Sequence, residues 1–347
     1  MRPAGAVVAL AAALALAACG SGEPAPPEVA LVPAGPGAGG HAWSWTGACP
    51  LGPAAGSGCA RAGPVIGFGQ LNGNAWNLGG GADAGSLDMS VRAGGAVAID
   101  GDFSRTAPCT EPGCLAPTAS TWVRGYPNVL YGIDQCRAGG SPAVSPRLPL
   151  PMRLDRVPPH LIGVADYSTR MPEATYNVAY DLWLNPTGTR RPCRSQGTLE
   201  VMVWTDYNAR ALLPPGLRVG TARIPFAVDG AARTRPWSVY AANIERDGRT
   251  APWGGTVWLV PDSADVAARG RVGVDLSAAL WAAGRLLQEN YGWADLGPRY
   301  WLDTVSFGVE FGPPSGDPLD SGPSRFSARI SAYCLDAGTT LADAVCD

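Results

Sequence analysis

From residue 61 onward the chain alternates apolar and polar positions in short runs broken by Gly, Pro, Asn and Asp. The runs Gly95–Asp100, Thr175–Leu184, Gly197–Trp204, Pro236–Ala241, Gly255–Pro261, Asp303–Phe311 and Phe326–Cys334 read as strands. The reason is that alternate residues of a strand share a face. Many short strands with turn signals between them predict an all-β sandwich or jelly roll. One segment departs from this period. Ser277–Gln288 places Leu280, Ala283, Leu286 and Leu287 at helical spacing, with Asp275 upstream as a cap. The pattern therefore predicts a β-sandwich carrying one α-helix, with no internal repeat and no second domain.

Composition adds a compartment. The 347 residues include 46 Gly and 33 Pro, and the net charge is -3. That near balance leaves no footprint for nucleic acid. All basic residues are Arg, a bias read as genomic and not functional. Residues 1–18 carry Arg2 and then a small apolar run, which reads as a signal peptide. The run closes on Leu16-Ala17-Ala18-Cys19-Gly20, similar to a lipoprotein box in which Cys19 becomes the lipid-bearing first residue. The alternative is an ordinary Ala-x-Ala cleavage site and a secreted product. Residues 19–40 are rich in Pro, Gly and Ala and read as a disordered tether. Residues 41–347, roughly 300, suit a single β domain. The expectation is an exported, surface-anchored monomer that meets the membrane through its lipid alone.

Eight further cysteines remain: Cys49, Cys59, Cys109, Cys114, Cys136, Cys193, Cys334 and Cys346. An even number in an exported chain predicts disulfides. Short loops favour Cys49–Cys59 and Cys334–Cys346; Cys109–Cys114 then leaves Cys136 with Cys193. A zinc site is disfavoured, because the only histidines are His41 and His160 and no paired CxxC exists. The same scarcity, with no Gly-x-Ser-x-Gly, argues against a Ser-His-Asp hydrolase.

Three strands carry candidate chemistry. In Gly197–Trp204, Leu199, Val201 and Val203 form an apolar face, and Glu200, Met202 and Trp204 form the other. A carboxylate that shares its face with a thioether and an indole suits a sugar cleft better than a solvated face. In Asp303–Phe311, Val305, Phe307, Val309 and Phe311 fill one face. Glu310 stands on the other with Thr304, Ser306 and Gly308, whose small size leaves room beside it. In Tyr176–Asn185, Asn177, Ala179, Asp181 and Trp183 share a face. Taken singly, each carboxylate also reads as an ordinary surface or structural group. Together they meet the requirement of glycoside hydrolysis: one carboxylate attacks or activates water, and the other protonates the leaving oxygen.

The segments YNVAYDLWLN (176–185), LEVMVW (199–204) and SFGVEF (306–311) resemble glycoside hydrolase family 12, the small endoglucanase family. LNGNAWNLGG (71–80), WVRGYPNVLYGIDQC (122–136) and IPFAVDGAARTRPWSVYAA (224–242) are similar to further family segments in the same order. The resemblance covers residues 62–335. It implies a jelly roll of two curved antiparallel sheets, with a concave substrate cleft. It also implies retaining cleavage of internal β-1,4-glucosidic bonds, with no metal or organic cofactor. Glu200 then corresponds to the nucleophile and Glu310 to the acid/base. Asp181 corresponds to the supporting aspartate, and Asn177 to a cleft asparagine near it. Met202 and Trp204 correspond to cleft-lining residues, and Trp76 to a glucosyl-stacking platform. The chain departs from the family after Glu310, where GPPSGDPLDSGPSRFSARI lacks the usual Trp and Gly-Gly. It also departs at NAWN and in the insert NIERDGRTAPWGG (243–255). A xyloglucan-specific or mixed-linkage glucanase, a transglycosylase, a non-catalytic carbohydrate-binding sandwich and a structural lipoprotein are the other readings.

Overall fold

A computed structural model describes residues 42–46, 62–66, 69–75, 77–79, 85–91, 96–108, 121–132, 148–187, 196–208, 216–252, 254–262, 269–294, 296–337 and 341. Their strands are, in chain order, β1 (Ala42–Thr46), β2 (Ala62–Ile66), β3 (Gly69–Asn72), β4 (Gly85–Val91), β5 (Val97–Phe103), β6 (Asn128–Gly132) and β7 (Met152–Arg153). Then come β8 (Leu161–Arg170), β9 (Thr175–Asn185), β10 (Leu199–Tyr207), β11 (Leu217–Val228), β12 (Ala231–Ala242), β13 (Gly255–Val260) and β14 (Arg269–Asp275). Helices α1 (Leu276–Tyr291) and α2 (Leu296–Arg299) precede β15 (Trp301–Gly312) and β16 (Ser324–Ala337).

Hydrogen bonding joins the strands in one path: β1-β4-β5-β16-β8-β14-β11-β12-β13-β10-β9-β15-β6-β3-β2, with β7 on β15. The path folds back on itself, so that β5, β8 and β16 pack against β9 and β15. Phe103 stacks on Phe311 at 5.1 Å, and Phe307 packs on Tyr167 at 5.5 Å and Tyr333 at 6.0 Å. The expected jelly-roll class holds, with two corrections. The two layers are parts of one continuous sheet, because the long β11 pairs with β12 along its length and with β14 at its end. The pairing is also not wholly antiparallel: β10 and β13 run parallel, since the β11–β12 hairpin intervenes between them in the chain.

The apolar faces read from the sequence are the ones buried. Val178, Tyr180, Leu182, Leu199, Val201, Val203, Val305, Phe307, Val309 and Phe311 all belong to the core between the layers. The β11–β12 hairpin turns at Asp229-Gly230, whose φ angles of 48° and 77° suit the type I′ turn that twisted strands favour. Helix α1 begins where expected, with the Asp275 carboxylate accepting a hydrogen bond from the Ala278 N–H at 2.9 Å. It ends at Gly292, in the left-handed region at φ 71°. Leu276, Ala279, Leu280, Ala283, Leu286 and Leu287 seat it on the core. The extra turn α2 was not anticipated, since four residues are too few to show a helical period. No helix among the described residues is long and apolar enough to cross a membrane.

A buried acid lies inside the sandwich. Period two would place Asp206 on the same face as Glu200, Met202 and Trp204. A register shift between Trp204 and Asp206 turns it inward, opposite Val178. There it accepts hydrogen bonds from the Tyr176 hydroxyl at 3.1 Å and the Thr169 hydroxyl at 3.4 Å. Burial pushes its carboxyl up to about 6 from the ordinary 3.8, against the pull of those donors. The folded protein therefore holds a proton that the unfolded chain releases between about pH 4 and 6, so stability declines as pH rises through that window. Asp206→Asn is expected to flatten this decline and to exceed the parent by up to about 3 kcal/mol above pH 7. Urea midpoints at pH 4 and pH 7.5 check it; a variant less stable than the parent at pH 7.5 would contradict it.

Candidate active site

The three carboxylates share one face of one layer. Strand β9 lies between β10 and β15, and its register fixes the rows. Glu200 faces Trp183, Met202 faces Asp181, and Trp204 faces Ala179. On the other side Ser306 faces Asp181, Gly308 faces Ala179, and Glu310 faces Asn177. Directly paired residues share a face, so Glu200, Asp181 and Glu310 all point away from the core. None is solvated in the way a surface charge would be: their residues are 6%, 3% and 8% exposed.

Each carboxylate has a neighbour that orients it. The Thr256 hydroxyl, directly opposite on β13, donates to Glu200 Oε2 at 3.0 Å. The amide of Asn177 donates to Glu310 Oε2 at 2.5 Å. The Trp183 indole donates to Asp181 Oδ2 at 2.9 Å. Asn177 thus serves Glu310, not the neighbourhood of Asp181. The glutamates are also diagonal: their rows lie six residues apart along β9, which a flat sheet would spread over about 20 Å of strand.

Tyr126 occupies the hollow between these rows. Its hydroxyl donates to the Ala179 carbonyl at 2.9 Å. Burial, then the charge of Asp181, then that of Glu310 push the phenol well above its ordinary value, so it stays a neutral donor. The small size of Gly308 does not leave open room beside Glu310, as the sequence suggested. A Cβ there would strike the Pro127 carbonyl and Asn128, so the glycine admits the Tyr126–Asn128 backbone. That segment is pinned along the end of β15 by Arg124 N–H to the Phe311 carbonyl and Phe311 N–H to the Gly125 carbonyl, at 2.8 and 3.1 Å.

Arg124 explains the unusual sequence after Glu310. Its buried guanidinium donates to the carbonyls of Thr106, Thr121, Val123, Pro318 and Asp320 at 2.5–3.4 Å. Burial lowers it to about 10, although Asp320 and Asp317 oppose the shift. The loop after Glu310 is therefore clamped to the strand end that carries it.

The concave face continues past Glu200 onto β13 and β12. Trp258 faces Met202, and Tyr240 faces Trp258. Both pack, partly buried, on an apolar floor that includes Met202, Trp204 and Val260. Sequence reasoning did not name Thr256, Trp258, Tyr240, Tyr126 or Arg124. A signal for Thr256 and Trp258 was present, since GTVWLV alternates as the Glu200 strand does. Trp76 lies outside the described residues, as do Cys19 and every candidate cysteine except Cys334, which is buried on β16. The flanks of Trp76 are anchored nearby: Asn77 Nδ2 donates to the Val123 carbonyl at 2.7 Å. The same face holds buried polar atoms with no partner among the described residues, namely Oδ1 of Asn72, Asn128 and Asn177 and Nε1 of Trp204. Such atoms cost about 1–3 kcal/mol each. A cavity of about 580 Å³ on the outer face of β5, β8 and β16, lined by Asp100, Arg170 and Arg329, has no paired carboxylates and lies apart from these groups.

No family profile and no curated protein matches the chain. Solved structures do. A family 12 glycoside hydrolase, from a comparison of that family and of substitutions important for its thermal stability, aligns at TM-score 0.52 and 19% identity, covering 84% of this chain and 100% of that one. The family 12 xyloglucanase from Bacillus licheniformis, in complex with ligand, aligns at 0.52 and 15%, covering 85% and 98%. Its native form aligns at 0.53 and 16%, with the same coverage. The chain thus has the fold of these proteins.

Arg124→Met leaves a set of buried carbonyls without a donor and is expected to cost about 3 kcal/mol or more. Arg124→Lys should recover only part, because an ammonium cannot reproduce the planar fork. Denaturation midpoints of the three proteins check this, and a Met variant within about 1 kcal/mol of the parent would contradict it.

Proposed function

We propose that this chain is a retaining endo-β-1,4-glucanase of the family 12 type. One observation carries the reading: Glu200 and Glu310 stand on one concave face, on the two strands that flank β9, each oriented by a neighbouring donor. The shared fold, the aromatic floor and the ordered motif resemblance support it.

Glu200 attacks the anomeric carbon, and the bond to the leaving glucan breaks as Glu310 protonates its oxygen. Glu310 then takes a proton from water, which displaces Glu200 from the glycosyl-enzyme with a second inversion. The Thr256 hydroxyl orients the Glu200 carboxylate, and Asn177 orients that of Glu310. The neutral Tyr126 phenol holds the floor between them. Asp181 supports the nucleophile from the adjacent row. The steps require no metal and no organic cofactor. Retention calls for carboxyls about 5–5.5 Å apart, inversion for about 6.5–9.5 Å. The diagonal register makes stereochemistry the decisive measurement.

Glu200→Gln is expected to lower kcat on β-glucan by at least about 10³-fold. Glu310→Gln should do the same on glucan yet largely spare kcat/KM on aryl cellobiosides with good leaving groups, whose first step needs little acid assistance, while kcat falls because the second step loses its base. NMR of the first product should show the β-anomer; the α-anomer would mean inversion. Undiminished sugar release by Glu200→Gln would leave a carbohydrate-binding sandwich as the better reading. Two of the similar structures are xyloglucanases, so xyloglucan joins soluble cellulose, barley glucan and xylan in the substrate panel.

Residues 41–347 form the catalytic domain, held as a monomer at the cell surface by lipid on Cys19 and the tether of residues 19–40. Labelled fatty acid should enter the parent in its native host and not Cys19→Ala; equal labelling would remove the anchor.

A further inference from the structure

The layer that carries no glutamate pair has a groove of its own. It lies on the outer face of β5, β16 and β8, holds about 580 Å³, and is walled by Ala98, Asp100, Ser168, Arg170, Ser327 and Arg329. Ile99, Tyr167 and Ile330 fill the core beneath, so alternation turns these side chains outward. Ser327 faces Asp100 on one side and Arg170 on the other, and Arg329 faces Ala98 and Ser168. Arg170 and Arg329 are therefore diagonal neighbours on adjacent strands, with backbones about 7–8 Å apart, and their side chains can reach one anion. Neither guanidinium has a partner among the described residues, whereas Arg325 on the same face is held by Asp102 at 3.0 Å and Glu173 at 3.6 Å. Arg269 faces Ser168 from β14 and adds a positive charge at the rim.

We propose that this groove binds an acidic saccharide, with its carboxylate between Arg170 and Arg329 and its hydroxyls on Ser168, Ser327 and Asp100. A guanidinium takes a carboxylate through two parallel hydrogen bonds, which supplies affinity where the groove offers no aromatic ring. The volume lies within the range of roughly 300–1,000 Å³ typical of small-ligand sites. An extended peptide does not fit, because β5, β16 and β8 each have a strand on both sides and leave no free edge to pair with. A membrane surface does not fit either: Asp88, Asp100 and Asp102 follow one another on the β4–β5 side of the groove and would repel anionic lipid. Asp100 also opposes a doubly charged phosphate more than a singly charged carboxylate. The groove and the glutamate cleft lie on opposite layers, so this site stands whether or not the chain is a glucanase.

Binding is measured by calorimetry at low salt, with the full chain and the trimer of galacturonic acid as probe. Arg170→Gln and Arg329→Gln should each weaken binding by about tenfold or more, at unchanged melting temperature, and added salt should weaken it in the parent. The neutral galactose trimer should not bind, and excess cellobiose should not displace the acidic one. Displacement by cellobiose would place the trimer in the cleft and overturn the proposal. So would equal binding of the neutral trimer, or variants that bind as the parent does. Inorganic phosphate bound as tightly as the trimer would reduce the groove to a general anion site. Vesicles of anionic phospholipid retained through Arg170 and Arg329, with no binding of the trimer, would make it a membrane-facing surface instead.

Discussion

The burial of one face of β9, β10 and β15 is the constraint on which the site depends. Phe307, Tyr180 and Tyr333 fill the space between the layers, and Phe103, Phe311 and Phe326 continue the stack. Side chains alternate strictly along a strand, so once those rings and the neighbouring valines and leucines face inward, Glu200, Asp181 and Glu310 must face outward. A slip of one residue would bury the acids and expose the rings. The cost of either change keeps the register in place, and with it the placing of the three carboxylates. The core positions the carboxylates without touching them.

Register also explains how the concave face divides. Rows that cross β9 carry the acids and their donors. Toward β6 and β3 the same rows carry asparagines, and toward β13 and β12 they carry rings. The two smallest residues of the middle row, Ala179 and Gly308, admit Tyr126 and the Pro127 backbone. Arg124 then ties that segment to the loop after Glu310, so a long-range cluster of carbonyls around one cation holds the Glu310 end of the face together. The structural neighbours share this architecture at 15–19% identity, which fixes the fold and leaves the chemistry to be argued from the residues themselves.

Much of this was legible beforehand, and for a physical reason. Period two in YNVAYDLWLN, LEVMVW and DTVSFGVEF records which face is buried, and burial is what selects apolar side chains. Helix α1 announced itself by its 3.6-residue period and by Asp275. What local pattern could not show falls into two kinds. A register shift such as the one after Trp204 reverses parity without changing composition, so Asp206, which period two extended from Glu200 would turn outward, lies in the core. Partners distant in sequence are equally silent: Thr256 for Glu200, Asn177 for Glu310 and the Pro318 carbonyl for Arg124 are set by strand order alone.

The amino-acid sequence by itself determined that the fold is all-β and, where no register shift intervenes, which residues of the acid-bearing strands leave the core. It thereby determined that Glu200, Asp181 and Glu310 share the non-core side. Hydrophobic alternation is a local property, and it needs no knowledge of neighbours. Only the tertiary structure decided that β9 separates the two glutamate strands and that the glutamates are diagonal. It alone decided that one continuous sheet makes both layers, and that Trp258 and Tyr240 fall in one row with Met202 and Asp181. Those facts depend on which strands pair and in what register, and that is settled by packing across the whole molecule.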